Sequence, residues 1–209
     1  MNDHGKARET PVADVTLTAG ALLLRPWREE DVPALLEAYD DPVMRQWVRM
    51  PVSTPEEAAR WVEVQREGWE SGTRFSFAVT DTGRGGELVG NLALKRPGQG
   101  AERAEVGYWT AARARGRGVA PRALEALTAW AFTAFATEGL VRLDLLHQVD
   151  NVASCRVAEK SGYAFAELLG ALPPEFPLDG HLHVRRAPSG GAPFQRAPGV
   201  SPVGSSDSR

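Results

Sequence analysis

A loop from Arg113 to Arg122 constrains the fold of this chain more than any other stretch. It places four arginines and two glycines, without an acidic residue, between an apparent strand and a long segment of helical periodicity. Glycines at alternate positions, Gly116 and Gly118, allow successive backbone N–H groups to converge on one point, and a following helix directs its positive end there. From Arg103 to Arg122, five arginines stand against one acidic residue, although the whole chain carries a formal charge of −3. The loop therefore predicts a phosphate-binding site, with a solvated basic loop as the alternative.

The segments on either side of this loop predict a crossover between parallel strands. Residues Arg103–Trp109 alternate in polarity as a strand does, and Val141–Leu145 alternate again after the helical segment. A helical connection between two strands of one sheet makes those strands parallel. The helix between them is predicted from one apolar stripe, formed by Leu124, Leu127, Ala131, Ala134 and Phe135.

Hydrophobic periodicity divides the rest of the chain into short elements. Strands are predicted over 21–25, 74–79, 88–94, 103–109, 141–145, 163–168 and 181–185, and helices over 28–39, 55–70, 119–135 and 151–160. Thr54 followed by Pro55 is a start signal for the second of these helices. The order β-α-α-β-β-β-α-β-α-β-β predicts an α/β domain with a mixed sheet of about seven strands.

The length of 209 residues suits one domain with a tail at each end. Residues 1–18 are polar and lack a sustained period, and residues 188–209 are rich in proline, glycine and serine. Both are predicted to be flexible tails around a domain of residues 19–187. A domain of that size buries about 70% of the surface of its unfolded chain, so its core can be stable without a disulfide or a structural metal.

Composition limits which cellular compartment and which classes of binding partner are expected. Cys155 is the single cysteine, which excludes an intrachain disulfide and a cysteine-cluster metal site and fits a reducing compartment. No apolar run reaches the ~18 residues of a membrane span, so a cytoplasmic protein without a membrane partner is expected. The acidic net charge argues against a nucleic-acid partner. His181 and His183 are expected at a solvent-facing strand edge rather than as ligands, and no metal is expected.

The known phosphate signatures differ in how well they fit the loop. A P-loop requires a lysine that this loop lacks, and the third glycine of a dinucleotide fingerprint is replaced by Pro121. The remaining pattern, Arg-x-x-Gly-x-Ala, is filled by Arg115–Ala120. Here the chain resembles the GNAT acetyltransferase superfamily, whose pyrophosphate loop reads Gln/Arg-x-x-Gly-x-Gly/Ala.

The resemblance extends over roughly residues 22–185. Further stretches resemble the branch that contains the ribosomal-protein N-terminal acetyltransferases RimJ and RimL, and they occur in that branch's order. They are Leu24–Trp27 with Asp31, Glu87–Gly90, Glu105–Trp109 and Asn151–Tyr163.

The resemblance implies a GNAT fold, with a mostly antiparallel sheet, a central parallel pair that splays apart and flanking helices. Acetyl-CoA would be the cosubstrate, with its pantetheine arm in the gap between the splayed strands. Gly107 is a candidate bulge residue at the start of the splay. The implied coenzyme-binding residues are Tyr108, Trp109, Thr110, Arg115, Gly116, Arg117, Gly118, Val119, Ala120, Asn151 and Ser154.

Two residues are candidates for the chemistry of acetyl transfer. Glu105 is the acidic residue nearest the loop and could take the proton from the acceptor amine, or it could be a cross-strand partner of Arg103 or Arg142. Ser154 could face the thiol and replace the proton-donating tyrosine of many family members, because that position is Ala158 here. Alternatively, Ser154 belongs to a surface turn.

Three further residues in the stretch Asn151–Tyr163 have predicted roles. Asn151 has helix capping as its alternative role. Tyr163 and Cys155 are expected to be packing residues.

The acceptor of the acetyl group is the least constrained prediction. The RimJ/RimL-like motifs favour the α-amino group of a protein or peptide. A small amine such as an amino acid, a polyamine or an antibiotic is the alternative, because the fold specifies the donor better than the acceptor. A non-catalytic acyl-CoA-binding module also stays open, as does a homodimer.

Overall fold

The computed structural model describes residues 15–47 and 52–188. The predicted tails, 1–18 and 188–209, lie almost wholly outside these ranges. The strands are β1 (Leu17–Ala19), β2 (Leu22–Pro26), β3 (Arg74–Asp81), β4 (Glu87–Lys95), β5 (Arg103–Thr110), β6 (Arg142–Gln148), β7 (Ala164–Leu169) and β8 (Gly180–Arg186). The helices are α1 (Val32–Tyr39), α2 (Pro42–Trp47), α3 (Pro55–Glu70), α4 (Val119–Ala134) and α5 (Val152–Lys160).

Within the described residues, the strands form one sheet in the order β1-β2-β3-β4-β5-β6-β8-β7. Strands β5 and β6 are parallel, because α4 carries the chain back between them, and the other neighbours are antiparallel. The predicted mixed sheet with a central parallel pair is confirmed. Its eighth strand, β1, was not predicted.

The parallel pair opens partway along its length. Pairing runs from Arg103 opposite Arg142 to Val106 opposite Leu145 and then stops, although both strands continue. The splay therefore begins at Gly107, as expected. The expected bulge at Gly107 is wrong, because this residue pairs regularly with Ala93 on β4.

Helices cover both faces of the sheet. Helix α4 packs Leu124, Leu127 and Ala131 of its predicted stripe against one face, where they are fully buried. Phe135, the C-cap residue, is also buried, but Ala134 is exposed, contrary to the prediction. Helices α1 and α3 pack on the other face, against residues such as Ala78 and Leu88. In the described part of the chain no helix combines the length and apolarity needed to cross a membrane.

Two local features differ from the sequence predictions. The six-residue helix α2 was missed, since it is shorter than the window over which helical periodicity shows. The expectation of a solvent-facing strand edge at His181 and His183 is wrong. Strand β8 lies between β6 and β7, and His183 is buried.

Candidate active site

A cleft of about 340 Å³ lies at the open end of the parallel pair. Its lining comes from four places in the chain: the end of β5, the loop into α4 with the first turn of that helix, one face of α5 along its length, and α2. The residues are Val43, Met44, Trp47, Tyr108, Trp109, Thr110, Ala114, Arg115, Gly116, Gly118, Val119, Ala120, Pro121, Asn151, Ala153, Ser154, Arg156, Val157 and Lys160. All the predicted coenzyme-binding residues except Arg117 belong to this lining.

The glycines of the loop adopt a backbone conformation that other residues rarely take. Gly116 and Gly118 have φ angles of 74° and 69°, in the left-handed region. Gly118 is the N-cap of α4, and no side chain caps this helix. The first N–H groups of α4 therefore face the cleft without a side-chain acceptor, which suits the end of a helix that receives an anion.

Three of the four arginines of the loop bond to carboxylates from distant segments, whereas Arg122 donates to the carbonyl oxygens of Gly118 and Arg117. Arg115 bonds to Asp41, Arg117 lies 3.2 Å from Asp81, and Arg113 pairs with Glu37 and Glu87. The uncompensated positive charge inferred from the local sequence is thus corrected, because the fold brings acidic partners that the loop lacks. About a third of the Arg115 and Arg117 side chains stays exposed, so both remain accessible to an anion.

Asp41 connects the loop to α2. Although burial opposes the change, the bond from Arg115 and the N–H groups of Val43 and Met44 lower the pKa of the Asp41 carboxyl. The same N–H bonds hold the first turn of α2. The glycine loop and helix α2 are therefore positioned by one carboxylate.

Tyr108 and Ser154 meet across the gap between β5 and α5. The Tyr108 hydroxyl donates a hydrogen bond to Ser154 Oγ at 3.0 Å. A tyrosine hydroxyl is protonated at neutral pH already at its ordinary pKa of about 10, and burial raises the pKa of Tyr108 further, to about 12. Because Ser154 Oγ accepts from Tyr108, its own hydrogen can be donated toward the cleft. Both residues are predictable from sequence motifs, but their pairing follows only from the packing of α5.

Asn151 and Ala158 have structural roles on the same helix. Asn151 Oδ1 accepts a hydrogen bond from the backbone N–H of Ser154 at 3.1 Å, which is the predicted alternative of helix capping. Ala158 is fully buried in the core. Tyr163, whose hydroxyl lies 2.6 Å from Thr128 Oγ1, is likewise a buried packing residue.

Trp109 lines the cleft and packs on the face of the sheet that α1 and α3 cover. Its ring packs edge-on against Tyr39, with ring centroids 6.0 Å apart, and lies tilted by 46° against Trp27 at 6.1 Å. Strand β4 can approach Trp109 closely because residue 90 is glycine. A Cβ at Gly90 would lie 2.6 Å from the Trp109 carbonyl oxygen. This aromatic cluster packs tightly behind the cleft.

Glu105 stands apart from the cleft lining. It lies opposite Lys95 on β4, and the Lys95 ammonium donates to the Glu105 carboxylate at 2.5 Å. The expected cross-strand partners were Arg103 and Arg142, but Arg142 bonds to Asp144 instead. Glu105 is half-exposed and lies three residues before Tyr108 on the same strand.

The comparison with protein families decides the affiliation. The family model described as an acetyltransferase (GNAT) domain matches residues 21–164, well over half of the chain. The chain belongs to the GNAT acetyltransferase family. As a GNAT acetyltransferase it is an acyltransferase enzyme, as predicted from the loop and the strand motifs. A search of curated protein sequences gave no significant match.

Solved structures share this fold at low sequence identity. RimL, a ribosomal L7/L12 α-N-protein acetyltransferase in complex with coenzyme A, superposes with a TM-score of 0.71 at 23% identity, covering 82% of this chain and 98% of RimL. RimJ of Mycobacterium smegmatis, in complex with CoA-disulfide, gives 0.71 at 24%, covering 86% and 90%. The microcin C7 self-immunity acetyltransferase MccE, in complex with acetyl-CoA and AMP, gives 0.70 at 14%, covering 80% and 93%.

Proposed function

We propose that this enzyme transfers the acetyl group of acetyl-CoA directly to a primary amine, namely the α-amino group of a protein or peptide. The observation that carries the proposal is the cleft itself. An uncapped helix N-terminus and two left-handed glycines lie at one end, and the unpaired edges of two parallel strands lie beside it.

The residues at the cleft fit coenzyme A. The N–H groups of Gly116–Ala120 offer donors to a pyrophosphate, and Arg115 and Arg117 add positive charge. The edge of β5 beyond Val106 offers backbone groups to an extended arm. RimL, RimJ and MccE carry coenzyme A or acetyl-CoA in their structures, which supports the same ligand here.

Acetyl-CoA, when bound, supplies an activated thioester, and the side chains of this chain handle the protons. Glu105 would accept the proton of the acceptor amine, directly or through a water molecule, once its contact with Lys95 opens. Ser154, oriented by Tyr108, would donate a proton toward the departing sulfur. This hydroxyl pair replaces the tyrosine that the family resemblance expects at Ala158.

The surface around the cleft favours a peptide acceptor. Beyond the C-terminal end of β6, the segment between β7 and β8 presents exposed apolar side chains, including Leu172 and Leu178. It is joined to that end of β6 by the N–H of Val149, which donates to the Asp179 carbonyl at 3.0 Å. The proposal of an α-amine also draws on RimL and RimJ, two of the structures similar to this fold.

Thiol release from acetyl-CoA tests the proposal, with free-amine peptides, the same peptides carrying a blocked N-terminus and an internal lysine, polyamines, amino acids and aminoglycosides as acceptors. We expect release with free-amine peptides only, and mass spectrometry should locate the acetyl group on the α-amine. Turnover restricted to small amines would favour the small-molecule alternative. Coenzyme binding without turnover on any amine would favour the non-catalytic module.

A further inference from the structure

Away from the cleft, three histidines and the cysteine converge beneath α5. His147 is on β6, His181 and His183 are on β8, and Cys155 is on α5. Register explains the convergence, because His147 lies opposite His181 and Leu145 lies opposite His183, which places the three rings on one face of the sheet. One nitrogen of each histidine and the cysteine sulfur all lie within 4.8 Å of one another.

Backbone carbonyls orient two of the histidines toward the centre of this cluster. His147 Nδ1 lies 2.8 Å from the Gln148 carbonyl oxygen, and His183 Nδ1 lies 3.3 Å from the Tyr163 carbonyl oxygen. A carbonyl oxygen only accepts, so each ring carries its proton on Nδ1 and turns the Nε2 lone pair inward. Histidines that ligate metals usually donate their second N–H in this way.

The lone pairs exceed the available hydrogens. Cys155 Sγ lies 3.2 Å from His181 Nδ1 and 3.7 Å from His183 Nε2. His181 Nδ1 can donate to this sulfur or accept from it, depending on the tautomer, whereas His183 Nε2 can only accept the single thiol hydrogen. His147 Nε2 is buried and has no hydrogen-bond partner among the described residues. A cation at the centre would satisfy every inward-facing lone pair together, which a thiol cannot do.

From this geometry we propose that His147, Cys155, His181 and His183 form a Zn²⁺ site. Zinc prefers tetrahedral sets of imidazole nitrogen and cysteine thiolate, with bonds of about 2.0–2.3 Å. Such bonds place ligand atoms about 3.3–3.6 Å apart, and the two sulfur–nitrogen separations bracket that range. Binding releases the thiol proton and forms the zinc–thiolate bond, so the charge balances without an oxidant or a reductant.

The site fastens the helix that carries Ser154. All four zinc positions are filled by protein atoms, as in structural rather than catalytic sites. The phenyl ring of Phe165 packs against His181 and His183, with ring centroids at 5.2 and 5.7 Å, although this ring is half exposed. Zinc would therefore hold α5 against β6 and β8, one residue away from Ser154.

Metal binding by the full chain tests the site, after treatment with a chelator and removal of that chelator. Titration with Zn²⁺ against a chromophoric competitor should give one equivalent per chain, and Zn²⁺ should raise the melting temperature. Co²⁺ should give a thiolate charge-transfer band in the near ultraviolet and the intense visible bands of tetrahedral cobalt. The Co²⁺ spectrum of the unmodified protein decides the ligand set even if a variant fails to fold.

Variants identify the ligands. Cys155→Ser keeps the size of the side chain and should abolish the charge-transfer band, and it should weaken Zn²⁺ binding at least about 10-fold. His147→Gln should weaken binding similarly. His4→Gln changes the remaining histidine of the chain and should bind like the unmodified protein.

Three results would overturn the proposal. They are a stoichiometry well below one, a Co²⁺ spectrum without the thiolate band, and equal Zn²⁺ affinity in Cys155→Ser and the unmodified protein. None of these measurements involves acetyl-CoA. A negative result for the zinc site would therefore leave the proposed acetyl transfer unaffected, and the reverse also holds.

Discussion

In the proposed reaction, Ser154 and Tyr108 share the donation of one proton. Tyr108 comes from the splayed end of β5, and Ser154 comes from the first turn of α5. The Tyr108 hydroxyl is protonated at neutral pH, and it fixes the direction in which Ser154 can donate. A residue pair of this kind acts as a unit, so the effects of changing its members should not add.

We predict that Ser154→Ala and Tyr108→Phe each lower kcat at least about 10-fold, because a positioned proton donor contributes mainly in the transition state. The KM for acetyl-CoA should change little, and the double variant should resemble the single ones. Steady-state kinetics measures both constants. Ser161→Ala, at the far end of α5, is the matched control and should behave like the unmodified enzyme. A raised KM with unchanged kcat would make Ser154 a binding contact.

Glu105 and Lys95 allow basicity to be separated from ion pairing. Glu105→Gln should lower kcat/KM at least about 10-fold near neutral pH, with partial recovery at high pH as the free amine becomes abundant. Lys95→Met removes the same ion pair but keeps the carboxylate, so its pH–rate profile should keep the shape of the original. If both variants keep the original rate and profile, Glu105 is a structural partner only.

At the scale of elements, the open ends of β5 and β6 are the feature that gives the enzyme its site. Coenzyme A should slow hydrogen exchange in residues 107–110 and 116–120, because their amides would gain acceptors. The fully paired strands β3 and β4 serve as the internal control and should exchange as before. Exchange measured by mass spectrometry would contradict this placement if protection appeared elsewhere or nowhere.

The sequence predicted elements well where one local signal was sufficient. Thr54 caps α3 through the N–H of Glu57, as its spacing indicated. The loop before α4 was identified from its own residues. Strand β1 is three residues long and lies beside a polar segment, so its pairing with β2 came from tertiary contact rather than from local pattern.

Register and long-range pairing could not be predicted from the sequence. The contact of Lys95 with Glu105 requires the register of β4 on β5, and Asp41 bonds to Arg115, which lies 74 residues later in the chain. The histidines on β6 and β8 share a face only because the two strands align one particular way. No local pattern in a single sequence specifies how two distant strands align.

At the scale of the whole molecule, burial of the tyrosines makes stability depend on pH. Burial raises the pKa of Tyr39 and Tyr108 to about 12 and raises that of Tyr163 further. Above the ordinary tyrosine pKa of about 10, the unfolded chain loses these protons while the folded chain keeps them. The folded state binds more protons there, so its stability falls as the pH rises.

The free energy of unfolding should therefore decline between about pH 10 and pH 12, by up to about 1.4 kcal/mol per pH unit for each buried tyrosine. Urea unfolding at a series of pH values measures this slope. Tyr108→Phe removes one titrating group and should make the decline shallower. A free energy that stays constant over this range would show that the tyrosines titrate freely in the folded protein.

The proposed binding of coenzyme A at the glycine loop can be measured by calorimetry on two valine variants. Gly118 and Gly72 have φ angles of 69° and 67°, and a Cβ at either position would meet no protein atom within 4 Å. Valine thus imposes similar backbone strain at both, but only Gly118 lines the cleft. We predict that Gly72→Val binds coenzyme A like the unmodified protein and that Gly118→Val loses at least about 10-fold in affinity. A folded Gly118→Val protein with unchanged affinity would contradict the account.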